Sequence, residues 1–152
     1  MRQSIIAKTL AIAAIIALAV ALAPRADAAD KGCSNTSIKG TFAFRGTGSV
    51  FDPAATVLLS VLFAQTFDGN GGLTATGFQS HNGNILQVTQ TGSYTVNPDC
   101  TGTYTAMVFP MGLTVHFFFV VTDSGNELQV LSTDPHTLIS GPARRLFPGR
   151  DI

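Results

Sequence analysis

Gly92-Ser-Tyr-Thr-Val-Asn-Pro-Asp-Cys-Thr-Gly-Thr-Tyr-Thr105 decides how the rest of the chain is read. Two β-rich runs, 92–96 and 101–107, flank Asn97-Pro98-Asp99-Cys100. Pro98 fixes φ near about −65° at a turn position, and Asn97 and Asp99 can bond their own backbone. The stretch is therefore a β-hairpin. Cys100 closes its turn, and the second of the chain's two cysteines, Cys33, stands just ahead of the first strand-like run.

Working outward, the pattern is β throughout from Thr36. Phe42 and Phe44 alternate with Thr41, Ala43 and Arg45, and Gly46-Thr-Gly-Ser49 with Asp52-Pro53 then reads as an interruption. Residues 54–67 are apolar at both parities in their centre, which fits a strand covered on both faces or a short buried helix. Ser60 and the β-branched residues favour strand. Asp68-Gly-Asn-Gly-Gly72 is a hairpin signal, because Asp-Gly and Asn-Gly readily supply positive φ. His81-Asn-Gly-Asn84, Pro110-Met-Gly112, Asp123-Ser-Gly-Asn126 and Asp134-Pro135 mark further breaks. The count is about eight strands with turns every 8–12 residues. That predicts an all-β antiparallel meander, and closing it into a small barrel removes the exposed edges of its apolar strands.

A targeting segment precedes this domain. Arg2 and Lys8 give a positive start, residues 10–23 are uninterruptedly apolar, and Ala26-Asp27-Ala28 is a small-x-small cleavage site. The apolar run falls short of the ~20 residues that a membrane-spanning helix needs. Residues 1–28 thus read as a signal peptide and 29–152 as one domain, secreted or periplasmic, with no membrane span after cleavage. The mature chain keeps six basic and eight acidic side chains, a formal charge of −2. That gives no electrostatic footing for nucleic acid. Two cysteines in an exported chain read as one disulfide, Cys33–Cys100, and the loop it closes constrains the unfolded chain by roughly 4 kcal/mol.

Cys33-Ser-Asn-x-Ser-Ile-Lys-Gly40, Phe67-Asp-Gly-Asn-Gly-Gly-Leu73, Tyr94-Thr-Val-Asn-Pro-Asp-Cys-Thr-Gly102 and Ser132-Thr-Asp-Pro135 with Ala143-Arg-Arg145 together resemble a group of small exported bacterial proteins. The resemblance implies a secreted all-β domain and brings no catalytic residue with it. At fold level the pattern is also similar to lipocalin-like and allene-oxide-cyclase-like barrels.

Few residues offer chemistry. No His-x-His or His-x-x-x-His spacing occurs, and Asp68-Gly-Asn-Gly-Gly lacks the downstream Glu of a calcium loop, so neither metal nor cofactor is expected. His81 and His136 lie in polar turns. His116, in Leu113-Thr-Val-His-Phe-Phe-Phe-Val-Val121, is either bonded to a neighbouring hydroxyl on a strand face or a polar contact in a barrel mouth. Arg144 and Arg145 must point to opposite faces, with Asp134 or Glu127 within reach of either. The candidate ligand contacts are His116, Tyr104 and Arg144.

Residues 57–64 and 113–121 are apolar on both faces, whereas a monomeric barrel covers only the inner one. An outer-membrane barrel would need a lipid-facing band on nearly every strand, and residues 85–96 and 101–105 are too polar for that. The outer face then meets a packed segment, a small apolar ligand or a second copy of the chain. The leading expectation is an exported non-catalytic barrel that binds such a ligand or self-assembles. A barrel-type cyclase or isomerase and a structural envelope or matrix protein are the alternatives. Intact mass of the protein recovered from its host's envelope or medium should correspond to a chain beginning at Ala29; retention of residues 10–23 would overturn the export reading.

Overall fold

Short turns leave each strand no neighbour except those before and after it in the chain, so the sheet grows as a meander and its first and last strands are left to find each other. The computed structural model describes residues 32–51 and 53–147, within one compact unit, Gly32–Ile152. The predicted signal peptide lies outside the described residues. The strands are β1 (Gly40–Phe51), β2 (Thr56–Phe67), β3 (Gly72–His81), β4 (Asn84–Val96), β5 (Thr101–Phe109), β6 (Leu113–Thr122), β7 (Glu127–Ser132) and β8 (Thr137–Arg145). Each pairs antiparallel with the next, and β8 pairs with β1, closing an eight-stranded barrel. Within the disputed run 54–67, β2 takes Thr56–Phe67 as a strand, as its β-branched residues favour.

Closure gives every strand one inner and one outer face. On β2, Leu59, Val61, Phe63, Gln65 and Phe67 point inward, while Leu58, Ser60, Leu62, Ala64 and Thr66 point out. On β6, Phe117, Phe119 and Val121 are buried, and Thr114, His116, Phe118 and Val120 face outward. The core is aromatic: Phe67 packs edge-on against Phe42 and Tyr94 at centroid separations of 5.6 and 4.9 Å, and Tyr104 stacks on Phe117 at 4.7 Å. Such pairs add ~0.5–1.5 kcal/mol beyond their buried area.

Two local expectations are corrected. Gly46-Thr-Gly-Ser49 does not interrupt β1, which runs through to Phe51. Glycine is there for packing rather than turning. A Cβ on Gly48 would fall 1.5 Å from the Leu138 carbonyl oxygen, and one on Gly141 of β8 would fall 1.9 Å from that of Arg45. The two strands of the closing seam thus approach where side chains are missing. The second correction is at the start, where residues 35–38 form a short 3-10 turn, η1 (Asn35–Ile38), instead of continuing a β pattern.

That turn docks on one end of the barrel. Ile38 is fully buried, Val96 N–H donates to Asn35 Oδ1 at 2.8 Å, and Cys33 N–H donates to the Pro98 carbonyl at 3.1 Å. The predicted disulfide is present: Cys33 and Cys100 are bonded, with Cα atoms 4.9 Å apart. The hairpin turn that carries Cys100 is self-supporting. Asn97 N–H donates to the Thr101 carbonyl at 2.8 Å, and the Asp99 carboxylate accepts from the Thr101 amide at 3.0 Å and hydroxyl at 2.7 Å. Those bonds, the hydroxyl first, hold the Asp99 carboxyl below its ordinary pKa. Replacing both cysteines by serine should leave the far-ultraviolet β signal intact and lower unfolding free energy by about 2–5 kcal/mol. Unchanged denaturant midpoints would refute a stabilising role.

Candidate functional site

The barrel splits the three candidate contacts between its two faces. Tyr104 points inward and is buried, with its hydroxyl 3.4 Å from Gln65 Nε2. Burial pushes the Tyr104 hydroxyl above the ordinary phenol range. Arg144 faces outward at the far end of β8, where its Nε donates to Glu127 Oε2 at 2.6 Å. The inward arginine is Arg145. Its guanidinium donates to the carbonyls of Lys39, Ser37 and Gly125 and sits 4.6 Å from the centre of the Phe42 ring. Arg145 therefore ties η1 and the β6–β7 turn to the barrel end, and Arg144 is remote from the other two candidates.

His116 and Tyr104 border one groove from opposite faces of the sheet, the imidazole outside and the tyrosine only through its strand, with its ring in the core. β7 is six residues long and its ladder with β6 stops at Phe117 opposite Ser132, leaving the start of β6 without a strand on that side. The chain after β7 covers the gap. Thr133 N–H donates to the His116 carbonyl at 2.9 Å, and the Asp134 carboxylate then turns back. Asp134 Oδ2 accepts from the His116 amide at 2.9 Å, and Oδ1 lies 2.7 Å from His116 Nδ1. One carboxylate thus replaces a missing ladder carbonyl and also fixes the imidazole. A carboxylate on Nδ1 takes the ring's N–H there, leaving Nε2 as the acceptor in the neutral ring.

The groove beside this pair has a volume of about 510 Å³. Its floor is Thr103, Tyr104, Thr105, His116 and Phe117, and Thr133, Asp134 and Pro135 form its wall. Thr105 is the direct cross-strand partner of His116. Among the described residues, the hydroxyls of Thr103, Thr105 and Thr133 and the His116 Nε2 take no protein partner. The sequence pointed to His116 and offered Asp134 only as a partner for an arginine, since the length of β7 decides that this carboxylate, eighteen residues away, lands on the imidazole.

The barrel interior is occupied by its own side chains. Phe42, Phe44, Phe67 and Phe119 are all essentially inaccessible, and Gln65 and Gln90 are the buried amides among them. Neither amide oxygen has a partner among the described residues, an expense of ~1–3 kcal/mol each. The Asp68 loop is a turn held by its own carboxylate. One Asp68 oxygen accepts from the amides of Asn70, Gly71 and Gly72 at 2.7–2.9 Å, which holds its carboxyl below the ordinary value. Tyr94 OH braces the same loop, accepting from the Gly69 amide at 2.8 Å. Among the described residues no cluster of three or more His, Cys, Asp or Glu side chains is placed to hold a metal.

Outside, the wall formed by β2, β3, β4, β5 and β6 carries no Lys, Arg, Asp or Glu. Threonine dominates it, as in the row Thr41–Thr66–Thr74–Thr91 running across four strands. Apolar side chains interrupt the threonines: Ile85 is 68% exposed, Leu58 62%, Leu62 58% and Phe78 53%. Leu62 and Phe78 are direct cross-strand partners. No family model matches this chain, and no curated protein or solved structure matches it either. What it does must be argued from these two outer features.

The two arginines give a test of the assignment. Arg144→Ala should cost less than about 1 kcal/mol, as for an exposed ion pair. Arg145→Met, which strips three carbonyls of their donor, should cost more than about 1.5 kcal/mol by denaturant unfolding. Equal costs would contradict the division of labour.

Proposed function

We propose that this protein is an exported, non-catalytic β-barrel that associates with copies of itself through the outer wall of β2, β3 and β4. The observation that carries the reading is the exposed apolar set Leu58, Leu62, Phe78 and Ile85 on a wall without a charged side chain. A second copy is the occupant that this chemistry fits. Two such walls meet without charge repulsion, whereas an anionic lipid surface finds no lysine or arginine there to attract it. No helix among the described residues is long and apolar enough to cross a membrane, which says nothing of strands.

Magnitudes set the strength. Three strands of about ten residues present roughly 33 by 15 Å, so two copies bury on the order of 1,000 Å², the lower limit for a specific interface. Each apolar side chain is already partly covered and so contributes less than the ~1.5–3 kcal/mol of full burial. Set against an association cost of at least ~4 kcal/mol, the result is a concentration-dependent association rather than an obligate one. The interior, packed with aromatic rings, supports a small apolar ligand less well.

Sedimentation velocity over a concentration series tests this. Wild type should shift from monomer to dimer, Leu62→Asp and Phe78→Asp should remain folded monomers, and the inward Leu59→Asp should unfold. A monomer at every concentration would sink the reading, as would dimers that survive both outward substitutions.

A further inference from the structure

The groove beside His116 and Asp134 lies on β5, β6 and the β7–β8 turn, away from the wall invoked for association, and its chemistry is of another kind. We propose that it is a binding site for a neutral, polyhydroxylated ligand, an uncharged glycan. Three observations converge on that class. The lining contains no lysine or arginine and does contain Asp134, so phosphates, sulfates and carboxylates are disfavoured there. Three threonine hydroxyls, each able to donate and accept, and the His116 Nε2 line it without protein partners among the described residues. Finally, the imidazole is not free to swing away. Asp134 grips both its Nδ1, at 2.7 Å, and its backbone amide, at 2.9 Å. A polar group fixed in advance costs little entropy on binding, which matters for a ligand whose own hydroxyls must give up water.

Shape agrees with chemistry. At about 510 Å³ the groove falls within the ~300–1,000 Å³ of ordinary ligand sites. Thr103, Thr105 and His116 face outward from β5 and β6, so a chain of sugar rings need not thread the packed barrel to reach them. The Pro135 ring and the threonine methyls give the apolar faces of a sugar something to lie on, and the hydroxyls meet its polar edge. His116 and Asp134 are binding residues in this assignment, and no bond is made or broken.

The mature, disulfide-bonded protein, labelled with ¹⁵N, is titrated with cellotetraose and separately with maltotetraose, uncharged tetrasaccharides that differ in linkage. Saturable amide shifts are expected at Thr103, Thr105, His116 and Thr133 with at least one of them. Thr105→Val and Thr133→Val replace a hydroxyl by a methyl without disturbing the His116–Asp134 pair, and each should weaken binding at least fivefold. Thr47→Val, outward on β1, should not. His116→Gln, which keeps a polar side chain, should weaken binding further. The proposal is overturned if neither sugar shifts these amides, if the valine variants bind as wild type does, or if inorganic phosphate shifts the same amides as strongly.

Discussion

Pairing of β1 with β8 is the contact on which every other assignment of inside and outside depends. An eight-stranded meander left open would present two edges of unpaired amides and carbonyls, and its apolar strands would add flat hydrophobic surface beside them. The seam is made where Gly48 and Gly141 let the two backbones pass closer than any Cβ allows. Once it is made, parity has a fixed meaning along the whole sheet. Phe42, Phe63, Tyr104 and Phe119 become core, while Leu58, Leu62, His116 and Phe118 become surface.

The end that bears the disulfide is secured by connections of different kinds. Cys33–Cys100 holds the segment ahead of β1 to the central hairpin covalently, Ile38 fills the end, and Arg145 gathers carbonyls from η1 and the β6–β7 turn. These act on one another. The covalent link keeps η1 near the barrel, so Arg145 and Ile38 find their partners at little further entropic cost. At the opposite end β7 stops early, and a single carboxylate, Asp134, completes the ladder. An element that ends short leaves room, and the groove is that room.

The outer wall divides in the same physical terms. Across β2 to β4 it combines threonine rows with isolated large apolar side chains, a surface that offers little to charged partners and something to a copy of itself. Across β5 and β6 it also exposes apolar side chains, Met107, Phe109 and Phe118 among them, and beside the β7–β8 turn it is lined by threonine hydroxyls and the His116–Asp134 pair. Glu127, Arg144 and Arg45 lie on β7, β8 and β1, so charge is kept to the sector around the seam.

Much of the architecture was legible from local chemistry. The hairpin around Pro98, the Asp68 loop, the disulfide and the strand count all depend on residues near one another in sequence or on pairing rules that two cysteines satisfy in one way. Misread were places where a distant strand sets the requirement. Gly46-Thr-Gly-Ser49 looks like a turn until β8 lies against it, and residues 35–38 look extended until a barrel end asks for a plug. The opposite directions of Arg144 and Arg145 followed from strand alternation, but which of them faced inward did not. A period of two fixes relative orientation along a strand and leaves the absolute choice to closure. Likewise alternation puts His116 on the strand face it shares with Thr114, Phe118 and Val120. That this face is the outer one, and that the imidazole's partner is Asp134, came from closure, because the contact depends on where β7 runs out against β6.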